Sequence, residues 1–267
     1  MRSPRCTPAG VGLPNELPLP CAALLATPRG PARGGRLRAV SFDALGTLLE
    51  LEPLAPRLQR ELERRFGRRL DAERVARAAA AEIAFYRANH LVARDCRSLE
   101  KLRENCARVV LEALPELRRG AVPAQRRLGT VREALLAAIS FRLAPDAVAT
   151  VQALRTLGLR VGVTSNWDCD LQRVLGELGL REFFDVVVVS AEEGVAKPDR
   201  RLFEVAHERL GVRPDEALHV GDDPFADLAG ARLAGWSALV IDRDGRYPEC
   251  LAAIRTLAQL PPLLSRI

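Results

Sequence analysis

Leu37-Arg38-Ala39-Val40-Ser41-Phe42-Asp43-Ala44-Leu45-Gly46-Thr47-Leu48-Leu49 is a short, mostly apolar, β-prone run that ends in a carboxylate. Gly46-Thr47 then breaks it. The pattern predicts a buried strand with Asp43 at its C-terminal tip, the edge at which open parallel α/β sheets collect ligands. Taken alone, Asp43 also fits a turn residue or a helix cap.

Two kinds of sequence follow this run. Residues 50–143 are rich in Ala, Leu, Arg and Glu and read as helix almost throughout. Predicted helices span Leu54 to Phe66, Asp71 to Asn89, Leu99 to Leu114 and Val131 to Ser140. Gly67, Pro115, Gly120, Pro123 and Gly129 punctuate them. So long a stretch without a convincing strand exceeds an ordinary crossover between parallel strands. It predicts a helical subdomain at 50–143, inserted after the first strand.

From Pro145 onward helix and strand alternate. Helices are predicted at Asp146 to Leu157, Leu171 to Leu178, Arg200 to Leu210, Asp223 to Gly235 and Leu251 to Leu260. Strands are predicted at Leu159 to Thr164, Phe184 to Val189, Ala217 to Val220 and Ser237 to Ile241. Such alternation predicts an α/β fold with a doubly wound, Rossmann-like parallel sheet. Its core comprises 37–49 and 144–267.

Residues 1–36 are rich in Pro, Gly, Arg and Ala and show no periodicity, which predicts a disordered leader. Its arginines resemble those of a mitochondrial transit peptide, but little Ser and frequent Pro argue against an amphipathic targeting helix. The formal net charge is +6, of which residues 1–38 hold +5: six Arg against Glu16. The rest carries 34 basic and 33 acidic groups, so the folded body is near neutral and lacks the charge footprint of a nucleic-acid binder. No apolar run reaches membrane-spanning length. With 48% hydrophobic but only 4% aromatic residues, the core is expected to be built from Leu, Val and Ala. Cys6, Cys21, Cys96, Cys106, Cys169 and Cys250 form no C-x-x-C pair, so neither a zinc site nor a redox motif is indicated. Reduced thiols suit a cytoplasmic protein, monomeric or homodimeric.

Four polar features interrupt the apolar framework, each at a predicted strand end or helix start. They are Asp43 with Gly46-Thr47; Thr164-Ser165-Asn166; Lys197 in Ala196-Lys197-Pro198-Asp199; and Gly221-Asp222-Asp223-Pro224-Phe225-Ala226-Asp227. Singly, Ser165 or Asn166 fits a helix start, Lys197 a surface ion pair, Asp223 a helix cap and Asp227 a solvent-facing acid. Lys197 is one of only two lysines among 40 basic residues, the other being Lys101, so it departs from the arginine used elsewhere. Strand ends of a doubly wound sheet converge, which makes one shared site geometrically sound. Tyr86, Arg87, His90 and Arg94 form a polar cluster near the end of one predicted helix, either facing a substrate or forming a solvated face. His219 lies inside a predicted strand and is expected to be a core or near-site histidine rather than a ligand.

In that order, Phe-Asp-Ala-Leu-Gly-Thr-Leu-Leu, Val-Thr-Ser-Asn, Ala-Lys-Pro-Asp and Val-Gly-Asp-Asp-Pro-Phe-Ala-Asp resemble the four motifs of the haloacid dehalogenase-like superfamily. The resemblance covers residues 37–262, and the helical insertion is similar to the cap of its first subfamily. It implies a hydrolase in which Asp43 is a nucleophile that accepts a phosphoryl group, with Ser165 and Lys197 as catalytic partners. It assigns phosphate binding to Thr47, Ser165, Asn166 and Lys197. It assigns Mg²⁺ to Asp43, the Leu45 backbone carbonyl and Asp222, with Asp223 and Asp227 as further candidates. The implied substrate is a small phosphorylated molecule. One departure stands out: most phosphatases of the family carry a second aspartate where this chain has Leu45. That residue protonates the leaving group, a role leucine cannot fill. A metal-independent 2-haloacid dehalogenase and a weakly active binding protein of the same fold are the alternatives.

Overall fold

The computed structural model describes residues 36–119, 122–248, 250 and 252–265; the predicted leader at 1–36 lies outside them save for its last residue. The central sheet has six parallel strands: β1 (Ala39–Phe42), β4 (Arg160–Ser165), β5 (Val186–Val189), β6 (Ala217–Gly221), β7 (Ser237–Ile241) and β8 (Ala253–Ile254). Their spatial order is β5-β4-β1-β6-β7-β8. The chain leaves β1 toward β4 on one side and returns to β6 on the other. That reversal opens a crevice at the C-terminal ends of β1, β4 and β6.

β1 is buried along its whole length. Side chains alternate across a strand, so Val40 and Phe42 join one apolar layer with Val161, Val163 and Val220. Ala39 joins the opposite layer, with Phe203, Leu210 and Trp236. This two-sided burial is characteristic of parallel sheets. The second layer is built on α8 (Arg200–Leu210), which Asp199 caps by accepting the Arg201 amide and which Gly211 ends at φ 64°. The earlier helices of the sheet domain are α5 (Ala147–Thr156), α6 (Leu171–Glu177) and the single turn α7 (Ser190–Glu193).

Among the described residues the insertion contains four α-helices: α1 (Leu54–Phe66), α2 (Ala72–Asn89), α3 (Cys96–Ala113) and α4 (Ala124–Ala138). Leu58, Leu62, Val75, Leu102, Val110 and Val131 lie in its own apolar core. Asp71 caps α2, and an Asp95–Ser98 capping box starts α3.

Three sequence expectations are corrected. The stretch thought to lack strands is framed by β2 (Leu49–Leu51) and β3 (Phe141–Leu143), an antiparallel ribbon that carries the insertion. The helix expected at Leu251 to Leu260 is instead the edge strand β8, a 3₁₀ turn at Leu257–Gln259 and the short helix α10 (Leu260–Leu264). The helix expected from Asp223 to Gly235 begins as a π-helical turn, Pro224–Ala229, and only then becomes α9 (Gly230–Leu233). A π-turn widens the backbone and is common at functional sites.

Candidate active site

Asp43 stands one residue beyond β1, its amide hydrogen-bonded to the Val220 carbonyl of β6 at 2.9 Å. The switch point brings it beside the ends of β4 and β6. Its carboxylate accepts from Lys197 Nζ at 2.6 Å. The same ammonium donates to Asp227 Oδ1 at 2.5 Å and to the Thr164 carbonyl at 2.9 Å. Lys197 is 5% exposed and Asp43 8%. Lys197 is therefore no surface ion pair: all three of its protons are committed inside the crevice.

Asn166 holds Lys197 in place. Its amide nitrogen donates to the Lys197 carbonyl at 3.0 Å, and its amide oxygen accepts from the Lys197 backbone N–H at 2.8 Å. Asn166 thus grips the Lys197 backbone. Ser165, at the end of β4, is buried beside Asp43, whose pKa it helps to lower. Thr47 is buried behind Asp43, and its carbonyl accepts from Arg243 Nη2 at 3.2 Å. That arginine also ties the loop to Asp146 at 2.8 and 3.0 Å. No motif pointed to Arg243, because its partners lie almost 100 and 200 residues away in sequence.

The three acids of the last motif part ways. Asp227 is buried and accepts from Lys197, from His219 Nε2 at 3.0 Å and from the Asp223 amide at 3.0 Å. Asp223 is exposed, and its Oδ1 accepts from the Phe225 and Ala226 amides as a cap. Asp222 faces the crevice, with Arg246 Nη2 at 3.9 Å. Among the described residues, Asp43, Asp222 and Asp227 bring ligand atoms within 4.8 Å of one another; Asp223 stands outside that set.

Charge explains the differences. Burial alone would raise Asp227, but Lys197 and His219 reverse this and hold it well below the usual carboxylate range. Burial raises Asp43, and Lys197 only partly offsets it. Asp222 is pushed up to about 7, first by burial and then by Asp43, Asp227 and Asp223. One lysine faces too many carboxylates. Asp222, whose cationic neighbour Arg246 stands off at 3.9 Å, is the least compensated of the three, and hard oxygen donors in that arrangement suit Mg²⁺. Gly46 fits the same picture. Its φ of +84° favours glycine, and a Cβ there would lie 2.4 Å from the Asp222 carboxylate.

A cavity of about 1260 Å³ opens above Asp43, between sheet and insertion. Leu45 lines it with an aliphatic side chain, so no group at that position exchanges a proton. The helix cluster is not a solvated face. Tyr86 donates to Asp168 Oδ2 at 2.9 Å, His90 is buried and bonds Ser190 Oγ at 3.2 Å, and Arg94 reaches the Glu192 carbonyl at 3.4 Å. Only Arg87 is exposed without such a bond across to the sheet domain, and it lines the cavity. His219 is buried, hydrogen-bonds Asp227 and lies edge-on to Phe203 at 5.1 Å, a core position next to the site.

A family model for haloacid dehalogenase-like hydrolases matches residues 37–235. The chain belongs to this family. As a haloacid dehalogenase-like hydrolase it is 44% identical to a phosphoserine phosphatase of Thermus thermophilus over 110 residues, 41% of this chain and 44% of that protein. A (S)-2-haloacid dehalogenase 4A of Burkholderia cepacia is 29% identical over 236 residues, covering 86% and 96% of the two chains. Among solved structures, a haloacid dehalogenase-family phosphatase from Thermococcus onnurineus superposes with a TM-score of 0.58 at 26% identity, covering 85% of this hydrolase and 98% of the other chain. The match to the Thermus phosphatase spans less than half of that protein's length.

Proposed function

We propose that this hydrolase is a Mg²⁺-dependent phosphatase of small phosphorylated molecules, with Asp43 as nucleophile. The observation that carries the reading is the crowding of Asp43, Asp222 and Asp227 beside a single buried lysine that pairs only with the first and the last, an arrangement that calls for a further cation. Asp43 and Asp222 would hold Mg²⁺, aided by the Leu45 carbonyl. Bound there, the ion would supply charge neutralisation for an incoming phosphate.

A free Asp43 oxygen attacks phosphorus, and the bond from phosphorus to the substrate oxygen breaks. Ser165 donates to the phosphoryl oxygens, and Lys197 fixes the second Asp43 oxygen and neutralises charge. Water then attacks the aspartyl-phosphate, which releases phosphate and restores the carboxylate. A covalent intermediate of this kind splits one hard displacement into two easier ones. Asn166 acts through Lys197, and Asp227 serves as its fixed counterion. The four described cysteines, Cys96, Cys106, Cys169 and Cys250, are free thiols, which suits the cytoplasm. Among the described residues no helix is long and apolar enough to cross a membrane.

The test is a panel of phosphate esters, acyl phosphates and 2-haloacids, assayed with Mg²⁺ and with EDTA. Phosphate release that EDTA abolishes is expected. Halide release that survives EDTA would replace this reading with the dehalogenase one, which the dehalogenase 4A likeness and Leu45 favour. No turnover alongside measurable ligand binding would leave a binding protein.

Two further outcomes are expected. Because Leu45 cannot protonate a departing alkoxide, aryl and acyl phosphates should outpace alkyl phosphates. Leu45→Asp should raise kcat/KM for alkyl phosphates by about 10²-fold, the lower end of what a positioned acid–base contributes. Second, Mg²⁺ should raise Tm more at about pH 8 than at about pH 6, since protons compete with the metal for Asp222 below its pKa of about 7. The sign follows from linkage. An acid whose pKa is raised on folding weakens the metal-free fold as pH climbs from the unfolded value through the folded one.

A further inference from the structure

The cavity over Asp43 has a second polar end. Glu82, on α2, is only 4% exposed, yet it lines the cavity. Burial raises its pKa, the neighbouring Cys106 of α3 offsets this in part, and among the described residues no cation pairs with it. Tyr86, one helical turn further along the same face, reaches Asp168 in the sheet domain. Burial, then Glu82 and Asp168, push the Cys106 thiol well above its ordinary value, so these four groups form one cluster where insertion meets sheet. Apolar walls flank it: Leu99, Leu102, Leu135 and Ile139 line the same cavity.

Packing alone does not account for this acid. A buried carboxylate without a cation is costly, and a leucine or methionine at position 82 would complete the apolar interior of the insertion without that cost. The charge makes sense if a ligand supplies its partner. We propose that Glu82 closes a substrate pocket whose ligand is a small phosphate with an apolar stem and a terminal ammonium group. The phosphate sits at Asp43, the stem runs along the leucines, and the ammonium donates to Glu82. The assignment rests on the phosphatase reading of Asp43 above and names the substrate class for that same site.

Calorimetric titration of the full chain with Mg²⁺ and non-hydrolysable alkylphosphonates tests it without depending on turnover. The series ends in an ammonium, a methyl or a carboxylate group, at matched stem lengths. The ammonium ligand is expected to bind at least about tenfold more tightly than the methyl ligand, in keeping with a hydrogen bond to a charged partner. Glu82→Gln, which keeps shape but not charge, should reduce that ratio to within about twofold. Equal binding of ammonium and methyl ligands would overturn the pocket assignment while leaving the phosphate site standing. A preference for the carboxylate would also overturn it, and would point to the exposed Arg87 on the same helix. Failure of every phosphonate to bind would remove the phosphate site itself, and the pocket assignment with it.

Discussion

Asp43→Asn is expected to abolish phosphate release, with kcat reduced by about 10⁴-fold or more, the scale on which removal of a covalent nucleophile acts. The amide keeps the shape of the side chain and still accepts from Lys197, but it has no charged oxygen with which to attack phosphorus. The fold should survive. Burial raises the Asp43 pKa, so the charge is not at ease in its site, and a neutral isostere relieves that repulsion. Single-turnover kinetics beside a thermal melt separate the two effects. An unchanged rate would refute Asp43 as nucleophile; a collapsed melt would show a mainly structural role.

Lys197→Met is expected to damage both activity and stability. The lysine is buried between Asp43 and Asp227, and its loss leaves two carboxylates facing each other without a cation. Breaking a buried pair in this way costs about 3–5 kcal/mol, readable by urea denaturation. The double variant Lys197→Met/Asp227→Asn should recover part of that loss, because it removes one of the orphaned charges. The pH dependence has a defined sign. In the wild type the depressed Asp227 adds stability above its unfolded value and loses it as pH falls through the folded value. Without Lys197, the Asp43 and Asp227 values move upward, so acidification relieves the variant, and the gap between variant and wild type should narrow from about pH 7 to about pH 5. A constant gap would mean that Lys197 acts through packing rather than charge.

Much of this site is legible in the sequence because the chemistry sits at element boundaries. An apolar run followed by a carboxylate marks Asp43, and Asp223-Pro224 marks a helix start that the structure realises as a cap. What escapes is non-local. The β2–β3 ribbon pairs Leu-Glu-Leu with Phe-Arg-Leu across some ninety residues, and neither tripeptide is long enough to show a period. The region after Leu251 has helical composition, yet Ala253 and Ile254 pair with Val240 and Ile241. An open sheet edge outweighs a modest local propensity. Glu82 carried no signal either, since an acid amid alanines on a helix reads as surface until its burial is known.

The sequence by itself determined the alternation of strand and helix, the helical insertion and the order of four polar motifs, because periodicity and turn residues act over a few positions. Only the tertiary structure decided how those motifs divide their work. Residues 43, 165, 197 and 222 meet because the chain reverses direction across β1, and no local pattern encodes that meeting. It places Lys197 between Asp43 and Asp227, commits Asn166 to the Lys197 backbone and Asp223 to a cap, and leaves Asp222 facing the cavity with only the distant Arg246 beside it. Electrostatic energy depends on separation and burial, and both are set by the sheet rather than by neighbours in the chain.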